Sequence, residues 1–190
     1  TRGTALSTQV RETGTTTRWN IDPVHSEIGF SVKHMMVSNV RGRFNDVTGY
    51  IDFDENDPST AKIDVEINTH SVDTRQEQRD NHLRSADFFD AENHPKMSFV
   101  STKVEHVKGD NYRVTGDLTI RGTTRPVTLD ATFEGVSPDP YGGVRSGFSA
   151  TGKINRHDFG LDYNAAIEAG GVVVGADIKI QLEVEAIKQA

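Results

Sequence analysis

Apolar and polar residues alternate along most of this chain, and this pattern restricts the fold more than any other feature of the sequence. In the longest run, from Val174 to Ala186, every second residue is apolar. Because successive side chains of a strand point to opposite faces of a sheet, each run predicts a strand with one dry face and one wet face. Seven such runs cover residues 28–32, 47–53, 63–67, 112–120, 127–133, 148–154 and 174–186.

An eighth strand is predicted between Lys96 and His106, although its alternation slips between Phe99 and Val100. Such a slip is typical of a β-bulge. The connections at 108–111 and 121–124 are short enough for hairpins.

No linker interrupts the strands, so we predict one domain over residues 19–190. Residues 1–18 are polar and contain seven threonines, and we predict that they form a flexible N-terminal extension.

The composition agrees with a sheet. The chain contains 30 Val and Ile residues but only six Leu, together with 19 Thr. Side chains branched at Cβ favour the pleated, half-buried surface of a sheet. This imbalance argues against an all-helical bundle.

Eight one-sided strands must bury their dry faces and protect their edges, which leaves a sandwich or a barrel. Consecutive hairpins and the long final strand favour the barrel. We therefore predict an all-β fold, an eight-stranded antiparallel up-and-down barrel. A barrel of this size is either filled by side chains or holds one small ligand.

One segment breaks the strand pattern and predicts a short helix near residues 75–84. These residues are mostly strong helix formers. Thr74 with Glu77 three residues later has the form of a capping box.

The net charge and the lack of a long apolar run argue against several kinds of partner. The formal net charge is −7, whereas nucleic acids and anionic membrane surfaces attract clustered cations. No apolar run approaches the 18 residues or so that a transmembrane helix needs. No signal peptide is visible, which favours a cytoplasmic location, while a periplasmic or secreted location stays open if a signal was removed.

Catalytic and metal-binding patterns are weak. The chain has seven His and no Cys, and no His pair has the spacing of a zinc helix. We therefore expect no metal and no cofactor. An enzyme acting on a hydrophobic substrate is an alternative, with His34, Asp80 and His82 as acid or base groups.

The inner faces of the predicted strands suggest a lumen that side chains do not fill. Small residues recur there at Gly49, Gly116, Ala131, Ala150, Gly152 and Ala176. Such a lumen would be apolar and would suit a hydrophobic ligand. The candidate wall residues are Ile28, Phe30, Val32, Phe44, Ile51, Phe53, Val65, Ile67, Phe99, Leu118, Ile120, Leu129, Phe148, Ile154, Ile178 and Ile180. Phe88, Phe89, Phe159 and Leu161 are predicted to close or narrow the mouth. Arg79, His82 and Arg156 are candidates for contact with a polar head group.

Several motifs also resemble a known family. The chain opens with Trp19-x-Ile21-Asp22-x-x-His25-Ser26-x-Ile28-x-Phe30. Its most specific stretch is Arg79-Asp80-x-His82-Leu83-x-Ser85-x-Asp87-Phe88-Phe89-Asp90. His94-Pro95-x-Met97-x-Phe99 and Arg156-x-x-Phe159-Gly160 follow. From Trp19 to Ile187 the sequence resembles the YceI-like family of lipid-binding proteins.

The resemblance implies a lipocalin-like barrel that binds a polyisoprenoid, an isoprenoid quinone or a fatty-acid derivative. The expected role is transport, storage or sensing of this lipid without chemistry, and the expected assembly is a homodimer. Besides the enzyme named above, a stress or scaffold protein with a solidly packed barrel is a further alternative.

Overall fold

The barrel is built from strands that follow the predicted alternation. The computed structural model describes residues 15–164 and 174–190. The strands are β1 (Thr17–Ile21), β2 (Glu27–His34), β3 (Ser38–Phe44), β4 (Val47–Asp54), β5 (Asp57–Asn68), β6 (Val72–Asp73), β7 (Lys96–Lys108), β8 (Asn111–Ile120), β9 (Thr123–Pro138), β10 (Val144–Asn155) and β11 (Val174–Lys188). One α-helix, α1 (Glu77–Arg84), and two 3-10 helices, Thr69–Ser71 and Arg156–Phe159, complete the described elements.

Some of these strands are parts of longer, interrupted ones. β1 and β2 both pair with β11. On their other sides, β1 pairs with β4 and β2 pairs with β3. β5 pairs with β4 and β6 pairs with β3, so β6 continues the line of β5. β5 then pairs with β7, and β7 to β11 pair in sequence order. Because β11 returns to β1 and β2, the sheet closes on itself. The predicted closed, eight-stranded antiparallel up-and-down barrel is therefore confirmed.

The register places the apolar residues of neighbouring strands side by side. Ile180 lies opposite Phe30, and Ile154 lies opposite Ile178. A shift by one residue would turn a whole strand inside out, so the dry face itself fixes the register.

The start of the barrel differs slightly from the prediction. β1 begins at Thr17, where Thr17 and Arg18 already pair with Phe53 and Asp52 of β4. Residues 1–14 of the predicted flexible extension lie outside the described residues.

The bulge in β7 lies further along than predicted. Phe99 and Val100 form regular pairs with Leu118 and Asp117, and the register shifts between Ser101 and Lys103. Val100 is 45% exposed on the outer face. The alternation therefore slips in the sequence because Val100 is an apolar residue on the wet face. The true bulge lies in the polar stretch that follows.

The short helix is confirmed, but the predicted capping box is wrong. The N-cap is Gln76, whose side chain accepts a hydrogen bond from the Arg79 amide. Arg75 has a φ of 65°, which turns the chain sharply between Thr74 and the helix. The Thr74 hydroxyl instead donates to the Asp80 carboxylate.

Candidate ligand-binding cavity

A cluster of aromatic side chains fills the end of the barrel at which β1 begins and β11 ends. The fully buried Trp19 stacks on Phe53 with ring centroids 5.1 Å apart. Phe133 and Phe148 pack edge-on against Phe53 at 6.0 and 5.4 Å. These rings fill the part of the interior that lies beside β1 and β4 at that end.

Beyond this cluster the barrel contains a cavity of about 260 Å³. Side chains from strands all around the barrel line it, and almost all of them are apolar. The predicted wall residues on its surface are Ile28, Phe30, Val32, Phe44, Ile51, Val65, Ile67, Phe99, Leu118, Ile120, Leu129, Phe148, Ile154, Ile178 and Ile180. Of the predicted mouth residues, Phe88, Phe89 and Leu161 line it as well.

Glycines on the inner face allow large side chains to lie along the wall. A Cβ added to Gly42 would lie 2.5 Å from Cζ of Phe30, and one added to Gly116 would lie 2.5 Å from Cζ of Phe99. Ala131 and Ala150 border the cavity directly. The small residues therefore serve two purposes: some accommodate neighbouring rings, and others leave space.

Two of the predicted apolar residues lie off the cavity. Phe53 points inward as expected, but the ring cluster around Trp19 covers it completely. Phe159 lies in the 3-10 helix Arg156–Phe159 and is 2% exposed within the main core. Both residues stabilise the barrel around the cavity, and neither forms part of its surface.

Two of the predicted head-group residues, Arg79 and His82, also lie off the cavity. Arg79 donates from Nε to the Thr74 hydroxyl and from Nη2 to the Thr74 carbonyl, both at 2.8 Å. His82 Nε2 lies 2.8 Å from Asp87 Oδ2. Both side chains therefore stabilise the segment around α1.

The third predicted head-group residue, Arg156, borders the cavity but is 2% exposed. Its guanidinium donates to the carbonyl oxygens of Leu161, Tyr163, Val174 and Gly175. Burial lowers the pKa of Arg156 from its ordinary value. These four bonds fasten the chain after β10 to the start of β11, which is a structural role.

The side chains proposed for an enzyme do not converge on the cavity. His34 lies at the end of β2, Asp80 binds Thr74, and His82 binds Asp87. None of the three lines the cavity. Among residues 15–164 and 174–190, no group of three or more His, Cys, Asp or Glu side chains is placed to hold a metal ion.

The wall also includes residues outside the predicted wall and mouth sets, and two of them, Ala131 and Ala150, were predicted only as small inner-face residues. Alternation alone could have identified many of them, because they lie on the same dry faces: Ile21, Ile63, Met97, Val114, Val127, Ala131, Phe133, Ala150, Val174, Leu182 and Val184. Leu83 comes from α1. Pro58, Ala61, Val104 and Tyr112 line the cavity where β5 and β7 separate.

A helix capable of crossing a bilayer is not found in the described part of the chain, where none is both long and apolar enough.

Comparisons with known proteins agree with this architecture. A UPF0312 protein of Staphylococcus epidermidis is 43% identical over 170 residues, covering 89% of this chain and 96% of that protein. The crystal structure of a Campylobacter jejuni YceI protein covers all of both chains with a TM-score of 0.72 at 33% identity. A polyisoprenoid-binding domain from Saccharophagus degradans has a TM-score of 0.68 at 14% identity, over 90% of this chain and 98% of that one. The YceI-like domain matches residues 19–186, and the chain belongs to the YceI-like family.

Proposed function

We propose that this protein binds a long-chain hydrophobic amphiphile inside the barrel, for transport, storage or sensing and without chemistry. A polyisoprenoid, an isoprenoid quinone or a fatty-acid derivative fits this description. The observation that carries the proposal is the apolar cavity, with walls formed by strands all around the barrel. The polyisoprenoid-binding domain of Saccharophagus degradans, which shares the fold, supports the same ligand class.

The shape of the cavity favours an extended ligand. Along β11 its wall runs from Val174 to Val184. Ten residues at about 3.3 Å each, tilted by about 40° from the barrel axis, correspond to a length of roughly 25 Å. A chain-like molecule uses such a space better than a compact one.

The energetics favour a long chain as well. Each buried methylene contributes about 0.8 kcal/mol, so ten of them contribute about 8 kcal/mol. Association costs about 4 to 15 kcal/mol in lost freedom of motion. Ten carbons therefore roughly offset that cost, and tight binding needs a longer chain.

Extraction of the purified protein tests the proposal directly. Organic extraction and mass spectrometry are expected to recover a long-chain lipid in stoichiometric amount. If no lipid is recovered and the delipidated protein binds no polyprenol or quinone analogue, the proposal is wrong.

A pair of variants on β10 tests the location of the ligand. Ala150 lines the cavity, whereas the adjacent Thr151 is exposed on the outer face. We expect Ala150→Phe to fill the lumen and abolish polyprenol binding, and Thr151→Phe to retain it. Equal binding by the two variants would place the ligand outside the barrel.

We also propose a homodimer as the assembly, since the resemblance to the family implied one. Sedimentation equilibrium of the purified chain tests it: a mass near twice 20.9 kDa is expected, and a mass of 20.9 kDa contradicts it.

A further inference from the structure

The polar side chains of the cavity are few, and their hydrogen bonds differ. Among the described residues that line it, only Tyr112, Ser149 and Arg156 carry polar side chains. Arg156 donates to four backbone carbonyls, and Ser149 donates to Oε1 of Glu134 at 2.8 Å. The Tyr112 hydroxyl has no hydrogen-bond partner within residues 15–164 and 174–190, although its ring packs on His106 at 5.2 Å.

We propose that Tyr112 is the polar anchor of the cavity and that it selects ligands with an uncharged, oxygen-bearing head group. The inference rests on the proposed function and adds to it the orientation of the ligand and the chemistry of its head. A ligand carbonyl or hydroxyl would accept a hydrogen bond from the phenol, with the tail extending toward Phe88 and Leu161.

The position of Tyr112 supports this orientation. It lies at the start of β8, on the inner face shared with Val114 and Leu118. Nearby, the ladder between β5 and β7 ends at the pair Asp64–Val100. Residues 57–62 and 103–108 continue without pairing to each other, and Pro58, Ala61 and Val104 line the cavity there.

This break in the ladder gives a head group a place at the edge of the barrel. Proline has no amide hydrogen, so Pro58 fits an unpaired strand edge. A polar head at Tyr112 would lie beside the separated strands, whereas at the opposite end Arg156 has already committed its donors to backbone carbonyls. The polar end of the ligand is therefore assigned to the β5–β7 side.

Two carboxylates near Tyr112 favour a neutral head, because Asp110 lies two residues before Tyr112 and Asp57 precedes Pro58, which lines the cavity. Burial raises the pKa of the phenol, and the carboxylates of Asp110 and Asp57 raise it further. The hydroxyl consequently stays protonated and remains a donor at neutral pH. The same carboxylates repel a carboxylate or phosphate head, so alcohols, ketones, quinones and amides are favoured over anionic lipids.

Three probes with the same branched C20 skeleton separate these properties: phytol, phytanic acid and phytane. Their affinities are measured by displacement of the neutral fluorophore N-phenyl-1-naphthylamine from delipidated protein. One hydrogen bond corresponds to a factor of about 3 to 10 in affinity. We expect wild-type protein to bind phytol more tightly than phytane by this factor, and more tightly than phytanic acid at neutral pH.

Tyr112→Phe removes the hydroxyl and keeps the ring. It is expected to bind phytol and phytane equally, with its affinity for phytane unchanged. Tyr163→Phe is the matched control, because Tyr163 packs on Phe88 and His82 and is not part of the cavity wall. That variant should keep the wild-type ratio, and the thermal unfolding of both variants confirms that they are folded.

The outcomes distinguish the inference from the function on which it rests. If Tyr112→Phe keeps the preference for phytol, or if wild-type protein binds phytanic acid as tightly as phytol, the assignment of Tyr112 is overturned while lipid binding stands. If none of the three probes binds, the proposed function fails and the inference fails with it.

Discussion

The bend between β1 and β2 depends on one buried carboxylate, and its replacement gives a prediction with a defined pH dependence. Asp22 Oδ2 accepts hydrogen bonds from Arg145 Nη1 at 2.6 Å and lies 2.7 Å from His25 Nδ1. Asp22 Oδ1 accepts from the Val24 amide at 3.0 Å. Asp22 is 8% exposed, so little water screens these contacts.

Burial raises the pKa of Asp22, but the hydrogen bonds from Arg145 and His25 outweigh burial and hold the pKa at about 2, below the ordinary 3.8. At about 1.4 kcal/mol per pH unit, this difference corresponds to roughly 2 kcal/mol of stability. Because the pKa is lower in the folded state, the contribution is complete above pH 3.8 and is lost as the pH falls through 2.

We therefore expect Asp22→Asn to lower the free energy of unfolding by about 2 kcal/mol at pH 7 and by roughly half as much at pH 3. Urea unfolding followed by tryptophan fluorescence measures both values, since Trp19 is the single tryptophan and is fully buried.

The control for this prediction is Asp52→Asn. Asp52 binds Arg18 at 2.9 Å on the surface, where the Arg18 side chain is 45% exposed. Removal of such an exposed ion pair is expected to change stability by less than about 1 kcal/mol. A loss for Asp22→Asn that is the same at pH 7 and pH 3, or no larger than that of the control, would refute the reasoning.

Three further substitutions, one of them with a control, test the backbone and the buried arginine by thermal or urea unfolding. Gly49→Ala is expected to lose about 3 kcal/mol or more, because φ is 146° and the new Cβ would collide with the Asp64 carbonyl; a loss below 1 kcal/mol contradicts this. Met36→Gly should gain about 1 kcal/mol, since Met36 has a φ of 60° and is 60% exposed, whereas Val37→Gly should gain nothing. Arg156→Met should lose about 3 kcal/mol, because four carbonyls lose a charged donor; unchanged stability would show that water replaces it.

The fold was predictable because one physical constraint recurs in every strand. A single dry face, repeated eight times, determines both the alternation and the register. Ile28, Phe30 and Val32 illustrate this, since they were assigned to the inner face from alternation and all three border the cavity. Hairpin-length connections then left little freedom in the strand order.

The polar part of the site could not be predicted in the same way. Arg79 and His82 belong to a motif and carry suitable head-group chemistry, yet their partners, Thr74 and Asp87, are within five residues of them. Whether a polar side chain bonds locally or faces a cavity depends on backbone turns such as the positive φ of Arg75, which alternation does not encode. Tyr112 was not predicted as a polar contact, because it continues the apolar face of β8 and only its hydroxyl is polar.

The structure also explains how a barrel with an unfilled centre holds its shape. The ring cluster around Trp19 packs the interior beside β1 and β4 at one end, Arg145 connects the bend at Asp22 to β10, and Arg156 fastens β10 to β11. These contacts lie at the ends and interruptions of the strands, and the hydrogen-bonded ladder maintains the wall between them. The apolar faces that direct folding also line the cavity, so they remain available to a ligand. Under the proposed function, the same burial of apolar surface would drive two events in succession, closure of the barrel and uptake of a lipid chain.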